Sequence, residues 1–380
     1  MFTSWTKESE IVSRKSGFPP IGYHERVARR FLYFMLKKAK QTVLKAAKTL
    51  SVQKRLSNSQ WRQNRLLLLC YHGISLDDEH DWDPELYMGR DRFRRRMEML
   101  RDGGYTVLPL GEANERLRAK TLPPRAVALT FDDGDFDFAA VAWPILQEFG
   151  YPATVYVTTF YVDHRKPIFR LFCSYLLWKA RNRPAGGVIA IAPGLELALP
   201  NGLATAAARE EVLSAIQRFV EERNLPLAGR EELASGLAAA LGVDPEPIAA
   251  KGILHLMRPE EIARVSAQGA DVQLHTHRHR TPLNRELFLR EIDDNRRRIE
   301  EITGRRAEHF CYPSGVTHPA FLPWLRERRV QTATTCVPGL SESGTDPLLL
   351  PRVVDHCNLS EVEIESWMAG VSQYLIRRSG

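Results

Sequence analysis

Short hydrophobic runs alternate with longer amphipathic stretches from about residue 66 onward. The runs have the length and the residue types of buried strands. Between them, apolar residues recur at three- and four-residue steps, as in 92–102 and 285–303, which predicts helices. Strands that alternate with helices are typical of parallel βαβ units, so we predict an α/β fold, built as an open sheet or as a barrel. The predicted strands are Leu66–Tyr71, Ala126–Phe131, Thr154–Thr159, Asp271–Leu274, His309–Tyr312 and Val330–Thr335.

Residues 163–252 interrupt this alternation. An aromatic and basic segment comes first, a strand-like pair at 188–192 and 195–199 follows, and alanine-rich helices continue to residue 250. No pattern of catalytic residues stands out within it. We interpret the segment as an inserted lid or substrate-binding subdomain, and the alternative is a long irregular connection.

The N-terminal part, residues 1–62, is a basic extension. Its residues 24–50 have helical periodicity, with apolar positions on one side and lysines and arginines over much of the rest. This pattern is typical of an amphipathic helix at an anionic membrane surface. A terminal helix that packs its apolar side on the main domain has the same pattern, and the sequence leaves both open.

Charge divides the chain in two. The net charge of +7 over 380 residues arises from 15 lysines and arginines against three acids in residues 1–65, a net of +12. The remainder carries 38 against 43, a net of −5. The positive charge of the basic extension therefore bears on the location of the protein in the cell. The charge of the main body gives no indication of an acidic substrate.

Composition and cysteines limit the class of protein. A chain with 44% hydrophobic and 26% charged residues is neither disordered nor a polytopic membrane protein. The first residues lack the pattern of a signal peptide, and no apolar run approaches the ~20 residues that span a bilayer. The five cysteines show no CxxC spacing, which favours a reducing compartment. We predict a cytoplasmic protein, peripheral on the inner membrane face if residues 24–50 bind lipid.

Two consecutive carboxylates end the strand predicted at 126–131. Asp132 and Asp133 are followed by Gly134, which permits a tight turn. The carboxyl end of a parallel strand is the usual catalytic side of an α/β fold. Adjacent acids repel unless a cation or a proton separates their roles. A plain Asp-Gly turn is the alternative.

Three histidines follow the strand predicted at 271–274. His275 and His279 are four residues apart, which predicts that they share one side of a helical turn, whereas His277 points elsewhere. Two imidazoles and one carboxylate suit zinc and leave a position open for water. A solvated basic loop with Arg278 and Arg280 is the alternative.

Together these motifs resemble a known family. Thr130-Phe-Asp-Asp-Gly134 and His275-Thr-His-Arg-His279 are similar to the TFDDG and H-[ST]-x-x-H motifs of the polysaccharide deacetylases, the NodB-homology domains of carbohydrate esterase family 4. Tyr71-His72-Gly73-Ile74 resembles the family's early YH element, and Phe310-Cys-Tyr-Pro-Ser-Gly315 resembles its third motif. The resemblance runs from about Leu66 to Val354, in the expected order and outside the insertion.

The resemblance implies a distorted (β/α) barrel of the (β/α)7 type over 63–162 and 253–380, with 163–252 inserted. It also implies that Asp133, His275 and His279 bind a divalent metal, for which the donor set favours Zn²⁺, and that Asp132 is the general base. The backbone N–H of Tyr312 or of a neighbour would stabilise the oxyanion. Thr276 is expected to brace the loop through a hydrogen bond.

The sequence departs from the family pattern at two catalytic positions. The third motif often has an arginine beside its proline that tethers the base, and here Tyr312 precedes Pro313 with no arginine adjoining. Arg352 is our candidate for that role, from another strand. His356 is the nearest match to the general-acid histidine of the L-x-H motif, and a surface histidine is the alternative.

These observations predict a metal-dependent hydrolase that removes the acetyl group from N-acetylated sugars in a polysaccharide or lipid-linked glycan. A deformylase or other small-amide hydrolase on the same metal site is one alternative. A catalytically silent glycan-binding relative is another, although the complete set of two aspartates and two histidines argues against it. The sequence has no phosphate loop, zinc-finger spacing or RNA-binding motif, so no specific nucleic-acid partner is predicted.

Overall fold

A curved sheet forms the centre of the computed structural model, which describes residues 41, 42, 44, 52–163 and 167–375. Two short pairs of strands accompany the sheet. The strands are β1 (Leu66–Tyr71), β2 (Gly73–Ile74), β3 (Tyr87–Met88), β4 (Thr106–Val107), β5 (Ala126–Phe131), β6 (Thr154–Val157), β7 (Val188–Ala192), β8 (Leu195–Ala198), β9 (Asp271–Leu274), β10 (His309–Cys311), β11 (Thr332–Thr334), β12 (Leu340–Ser341) and β13 (Val353–Val354).

The main sheet is parallel except at one edge. Its strands lie in the order β11-β10-β9-β6-β5-β1-β12, and only β12 runs antiparallel to its neighbour. β4 pairs in parallel with the first residues of β5, and β6 pairs with the last residues of the same strand. β13 pairs in parallel with the end of β1. The sheet therefore curls into the incomplete (β/α) barrel predicted from the sequence.

Helices cover the sheet and join its strands. Every residue of β1 and β5 is buried, as expected for parallel strands covered on both faces. Alternate residues pack into different clusters: Leu67 and Leu69 belong to the main core, whereas Leu66 and Leu68 pack with a smaller cluster inside the curl. The helices are α1 (Val52–Ser57), α2 (Gln60–Gln63), α3 (Glu79–Trp82), α4 (Arg90–Asp102), α5 (Leu110–Ala119), α6 (Trp143–Phe149), α7 (Phe169–Lys179), α8 (Ala206–Glu222), α9 (Leu227–Leu241), α10 (Glu246–Ala250), α11 (Pro259–Ala267), α12 (Arg285–Thr303), α13 (Phe321–Glu327), α14 (Glu361–Ala369) and α15 (Val371–Leu375).

The predicted elements agree with the structure in type. β1, β5, β7, β9 and α12 have the predicted bounds, and the other predicted strands are present but shorter. The short strands β2, β3, β4, β12 and β13 were missed, because two residues carry no recognisable periodicity. None of the helices within the described ranges is long and apolar enough to cross a membrane.

The elements between Phe169 and Ala250 pack around a hydrophobic cluster of their own. α7, α8 and α9 surround the predicted strand pair, which is confirmed as the antiparallel hairpin β7–β8. This insertion contacts the barrel through the loop after β2, where Lys179 Nζ lies 2.5 Å from Asp78 Oδ2 and Trp82 Nε1 donates to Ser174 Oγ at 3.3 Å. The domain bounds predicted from the sequence stay predictions.

Most of the predicted amphipathic helix at 24–50 lies outside the described residues. Of that stretch the structure describes Gln41, Thr42 and Leu44. The Leu44 side chain is buried, and Gln41 Nε2 donates to Glu363 Oε2 of α14 at 3.5 Å. This turn thus contacts the main body, as in the packing alternative, and membrane binding by the whole segment stays a prediction.

Candidate active site

The predicted site residues lie at the carboxyl ends of neighbouring strands. Asp132 and Asp133 follow β5, and His275 follows β9, with β6 between these two strands. His72 follows β1, which is the next strand on the other side. Loops that leave the same end of a parallel sheet meet, so residues more than 140 positions apart in the chain come into contact.

Asp133, His275 and His279 form the predicted ligand cluster. Asp133 Oδ1 lies 3.1 Å from His275 Nε2 and 3.2 Å from His279 Nε2. One donor atom from each residue lies within 4.8 Å of the other two. Burial opposes ionisation of Asp133, but the two imidazoles outweigh it, so the pKa of this carboxyl is well below its usual range.

The hydrogen bond on the far side of His275 shows that the cluster fits a cation. His275 Nδ1 lies 2.9 Å from the Cys311 carbonyl oxygen, which can only accept, so this nitrogen carries the proton. In the neutral imidazole, Nε2 then presents a lone pair to the Asp133 carboxylate. Only a proton or a cation between these atoms makes the contact attractive. A histidine whose other ring nitrogen donates to a carbonyl oxygen is a usual metal ligand.

The two histidines converge through strained backbone rather than through the predicted helical turn. Residues 275–279 are not helical, and Thr276 and His279 have φ values of 62° and 52°. The backbone of Asp133 is also in the left-handed region, with φ of 68°. Such conformations cost about 1–3 kcal/mol each and persist where the surroundings impose them. The three residues do come together as the spacing argument predicted, but the helical turn on which that argument relied is not present.

Helix α12 supplies two buried polar side chains that hold the histidine loop. Asn295 Oδ1 accepts from the His275 backbone N–H at 2.8 Å, and its Nδ2 donates to Val157 O and Thr159 Oγ1 at 2.9 and 3.0 Å. Asn295 is fully buried. Glu291, one turn earlier, is 1% exposed and accepts from the Arg278 backbone N–H at 2.7 Å.

Further contacts hold the rest of the loop. Glu291 Oε1 accepts from Arg278 Nη1 at 3.2 Å and from Arg280 Nε at 2.8 Å. Thr276 Oγ1 accepts from the Arg280 backbone N–H at 3.0 Å, which is the bracing contact expected of it. His277 turns away, and its Nδ1 lies 2.9 Å from Thr159 Oγ1. Arg278 and Arg280, the residues on which the solvated-loop alternative was based, therefore bind this loop to a buried carboxylate.

Arg352 lies directly against Asp132. Its Nη1 and Nη2 donate to the two carboxylate oxygens, each at 2.7 Å, and both side chains are almost fully buried. The guanidinium is fixed in turn by the Thr335 carbonyl at 3.0 Å and Thr130 Oγ1 at 3.1 Å. Burial opposes ionisation of Asp132, but Arg352 outweighs it, so the pKa of this carboxyl is far below its usual range.

Sequence reasoning missed the thiols around Asp132. Cys70 Sγ and Cys311 Sγ lie 3.5 and 3.4 Å from Asp132 Oδ2, within range of weak S–H donation. Burial raises the pKa of both thiols well above the usual range, so they stay protonated. From the sequence, both cysteines lie within hydrophobic runs, and nothing in those runs indicates a neighbouring carboxylate. The available signal was their position near the carboxyl ends of β1 and β10, two residues before His72 and directly before Tyr312.

His72 and His356 occupy different positions. His72 is buried, its Nε2 lies 3.8 Å from Asp132 Oδ2, and burial lowers its pKa although Asp132 opposes this. His356 follows β13, and its Nδ1 accepts from the Asn358 backbone N–H at 3.3 Å. The structure thus gives His72 a contact with Asp132. The acid role predicted for His356 stays a prediction.

The expected oxyanion donor at Tyr312 is already engaged. The backbone N–H of Tyr312 donates to the Thr334 carbonyl at 3.2 Å, as a continuation of the β10–β11 ladder. Pro313 has no N–H, so the next candidate among the expected neighbours is Ser314, whose φ is 57°. Tyr312 itself is therefore the wrong donor.

The curled parallel sheet defines an incomplete α/β barrel, and the Asp-Asp-His-His cluster at its carboxyl end includes three residues that could hold a metal ion. A family model described as polysaccharide deacetylase matches residues 119–175 and 230–341. The gap between the two matched parts falls within the insertion. The chain belongs to the polysaccharide deacetylase family.

Individual relatives match more locally. The poly-β-1,6-N-acetyl-D-glucosamine N-deacetylase of Escherichia coli (strain K12) is 32% identical over 99 residues. That match spans 26% of this chain and 14% of the relative, so it covers only a small part of the relative's length. Its substrate is therefore not transferred to this chain by similarity alone.

Solved structures agree with the fold. The deacetylase PplD of Streptococcus pyogenes has a TM-score of 0.53 and 18% identity, over 80% of this chain and 98% of that chain. IcaB from Ammonifex degensii has a TM-score of 0.51 and 17% identity, over 80% and 97%. At these identities the comparison establishes the fold.

Proposed function

We propose that the protein is a metal-dependent N-deacetylase that hydrolyses the acetamide of an N-acetylated sugar in a polysaccharide or a lipid-linked glycan. The observation that carries the proposal is the pairing of two differently held carboxylates. Asp133 faces two imidazoles, an arrangement that suits a metal ligand, whereas Asp132 is held ionised by Arg352. Carboxylates whose environments differ in this way take different roles in catalysis.

The donor set suits Zn²⁺, since one carboxylate and two imidazoles leave a coordination position open. A cation bound by Asp133, His275 and His279 would activate water and polarise the acyl carbonyl. Asp132 accepts the proton of the attacking water, and its orientation is set by the two hydrogen bonds from Arg352. Water adds to the acyl carbon, the C–N bond breaks, and acetate and the free amine leave.

The leaving nitrogen needs a proton, and we propose His72 for this transfer. His72 lies beside Asp132, so it can receive the proton that Asp132 has taken up and donate it to the amine. The buried thiols of Cys70 and Cys311 exclude water from the back of this site. His356 follows the neighbouring strand β13 and is the second candidate for the same transfer.

Acyl release tests the proposal. The purified full chain is assayed for metal content, and for acetate and formate released from N-acylated glycans and lipid-linked sugars. We expect stoichiometric zinc and acetate release that Asp132→Asn abolishes, while His318→Ala, at an exposed histidine, remains active. Equal release by Asp132→Asn and the unmodified chain would refute the mechanism. Release of formate alone would favour the deformylase.

We also propose placement at the inner membrane face through residues 24–50, which suits a lipid-linked substrate. The support is the charge pattern, because residues 1–65 carry a net +12 and the remainder −5. Binding to vesicles with and without anionic lipid is compared between the full chain and a chain lacking residues 11–59. Equal binding by the two chains would contradict this placement.

A further inference from the structure

A thiol, an imidazole and a carboxylate come together at one oxygen of Asp132. Cys70 Sγ lies 3.5 Å from Asp132 Oδ2, and His72 Nε2 lies 3.8 Å from the same oxygen. One donor atom from each of these residues lies within 4.8 Å of the other two. Donor atoms of a tetrahedral zinc site are about 3.4–3.6 Å apart, so small side-chain shifts would place all three on one ion. We call these three residues the thiol site.

The thiol site is separate from the ligand cluster described above. It shares no residue with Asp133, His275 and His279, so one ion in each group needs no common ligand. A third group of potential ligands within the described residues consists of Asp132, His275 and Cys311. That group needs the His275 imidazole, whose Nδ1 faces the Cys311 carbonyl oxygen and whose Nε2 faces Asp133. It therefore competes with the ligand cluster, whereas the thiol site adds to it.

The charges around the thiol site permit a second cation but weaken its binding. Arg352 donates to both oxygens of Asp132 and is a positive neighbour of any ion there. A carboxylate oxygen has two lone pairs, so Oδ2 keeps one for the ion. Burial raises the pKa of the Cys70 thiol well above its usual range, so the ion has to displace the thiol proton. The S–H bond breaks as the S–metal bond forms, and the net charge of the site rises by one instead of two.

The donor atoms also select the kind of ion. A thiolate and an imidazole are soft or intermediate ligands, which favour Zn²⁺ and Cd²⁺, whereas Mg²⁺ and Ca²⁺ prefer oxygen ligands. Metal binding requires a neutral imidazole, and burial lowers the pKa of His72. The thiol site therefore suits a thiophilic divalent cation.

We propose that the thiol site is a second, inhibitory metal site, which binds a thiophilic divalent cation such as Zn²⁺ or Cd²⁺. An ion there occupies the carboxylate oxygen of Asp132 that faces His72, and the imidazole nitrogen that faces Asp132. The base and the proposed acid are then both blocked, while the ligand cluster keeps its own ion. The effect on activity rests on the proposed function, whereas the binding of the second ion does not.

Titration of the zinc-loaded full chain with Cd²⁺ tests for the site. A thiolate bound to Cd²⁺ has an ultraviolet charge-transfer absorption band, and the ligand cluster contains no thiol that could produce one. Cys70→Ser removes the sulfur of the thiol site. Cys173→Ser, at a buried thiol in the insertion, and Cys357→Ser, at a partly exposed thiol, are the matched controls. Circular dichroism shows whether each variant is folded.

We expect a band that saturates at one equivalent of Cd²⁺, is absent from Cys70→Ser and is unchanged in both controls. His72→Phe keeps the thiol and removes the nitrogen donors. It should raise the Kd for Cd²⁺ at least about tenfold, since even a group that only orients a ligand contributes about 10–100-fold. An unchanged band in a folded Cys70→Ser, no band in the unmodified chain, or an unchanged Kd in His72→Phe overturns the site.

Acetate release along the same titration tests the inhibition. Release by the unmodified chain should fall as the band rises, and it should also fall with excess Zn²⁺ but not with Mg²⁺. Release by Cys70→Ser, relative to its own starting rate, should not fall over the same range of Cd²⁺. Undiminished release by the unmodified chain at a saturated band overturns the inhibitory role. The proposed function is judged separately, by acetate release before any Cd²⁺ is added.

Discussion

Replacing Glu291 by glutamine tests whether the second layer of the site controls metal binding. Glu291 does not touch the ligand cluster, but it holds the loop that carries His275 and His279. Glutamine has nearly the same shape and keeps one carbonyl oxygen. It replaces the other oxygen with an NH₂ group, which cannot accept from the Arg278 backbone or from the guanidinium groups of Arg278 and Arg280.

The expected loss of metal affinity in Glu291→Gln follows from these contacts. Arg278 and Arg280 are partly exposed, at 34% and 57% of their side chains, so water replaces the lost charge partner at small cost. The main effect is a looser histidine loop, whose left-handed Thr276 and His279 are no longer imposed by Glu291. Losing a group that orients metal ligands typically lowers metal affinity by about 10–100-fold, or about 1.4–2.8 kcal/mol.

The assay is competition between the protein and a chromophoric zinc chelator, with circular dichroism to show that each variant is folded. Glu301→Gln is the matched control, because it makes the same change on the same helix at a side chain that is 52% exposed. Its affinity for zinc should not change. A Kd for zinc in Glu291→Gln equal to that of the control would refute the view that Glu291 shapes the ligand loop.

Three further predictions concern the proposed base Asp132, the proposed general acid and the turn at Gly134. Arg352→Met leaves the Asp132 carboxylate buried without a partner, so urea unfolding should show a loss of about 3–5 kcal/mol, and no loss would contradict the buried pair. His72→Ala should lower kcat at least about tenfold more than His356→Ala, since general acids contribute about 10²–10⁴-fold, and the reverse order would assign the acid to His356. Gly134→Ala forces φ of 83° on alanine and should destabilise the fold by about 1–3 kcal/mol in the same unfolding assay, whereas unchanged stability would show that the turn relaxes.

The site residues were predictable from sequence where they directly follow a recognisable strand. Asp133, His275 and His279 were recognised because each follows a hydrophobic run, and the ends of such runs share one edge of a parallel sheet. The thiols of Cys70 and Cys311 were not recognised as neighbours of Asp132. A buried cysteine in a strand looks the same from sequence whether it faces aliphatic side chains or a carboxylate.

The sequence by itself determined the longer strands, the long helix α12, the separation of a basic extension from an acidic body, and the residues of the candidate ligand cluster. These features depend on periodicity and on neighbours in the chain, which are local. Only the tertiary structure decided how the sheet curls, how strained backbone brings His275 and His279 together, and that Arg352 meets Asp132 across 220 positions. Such contacts depend on strand order and register, which arise from packing over the whole barrel.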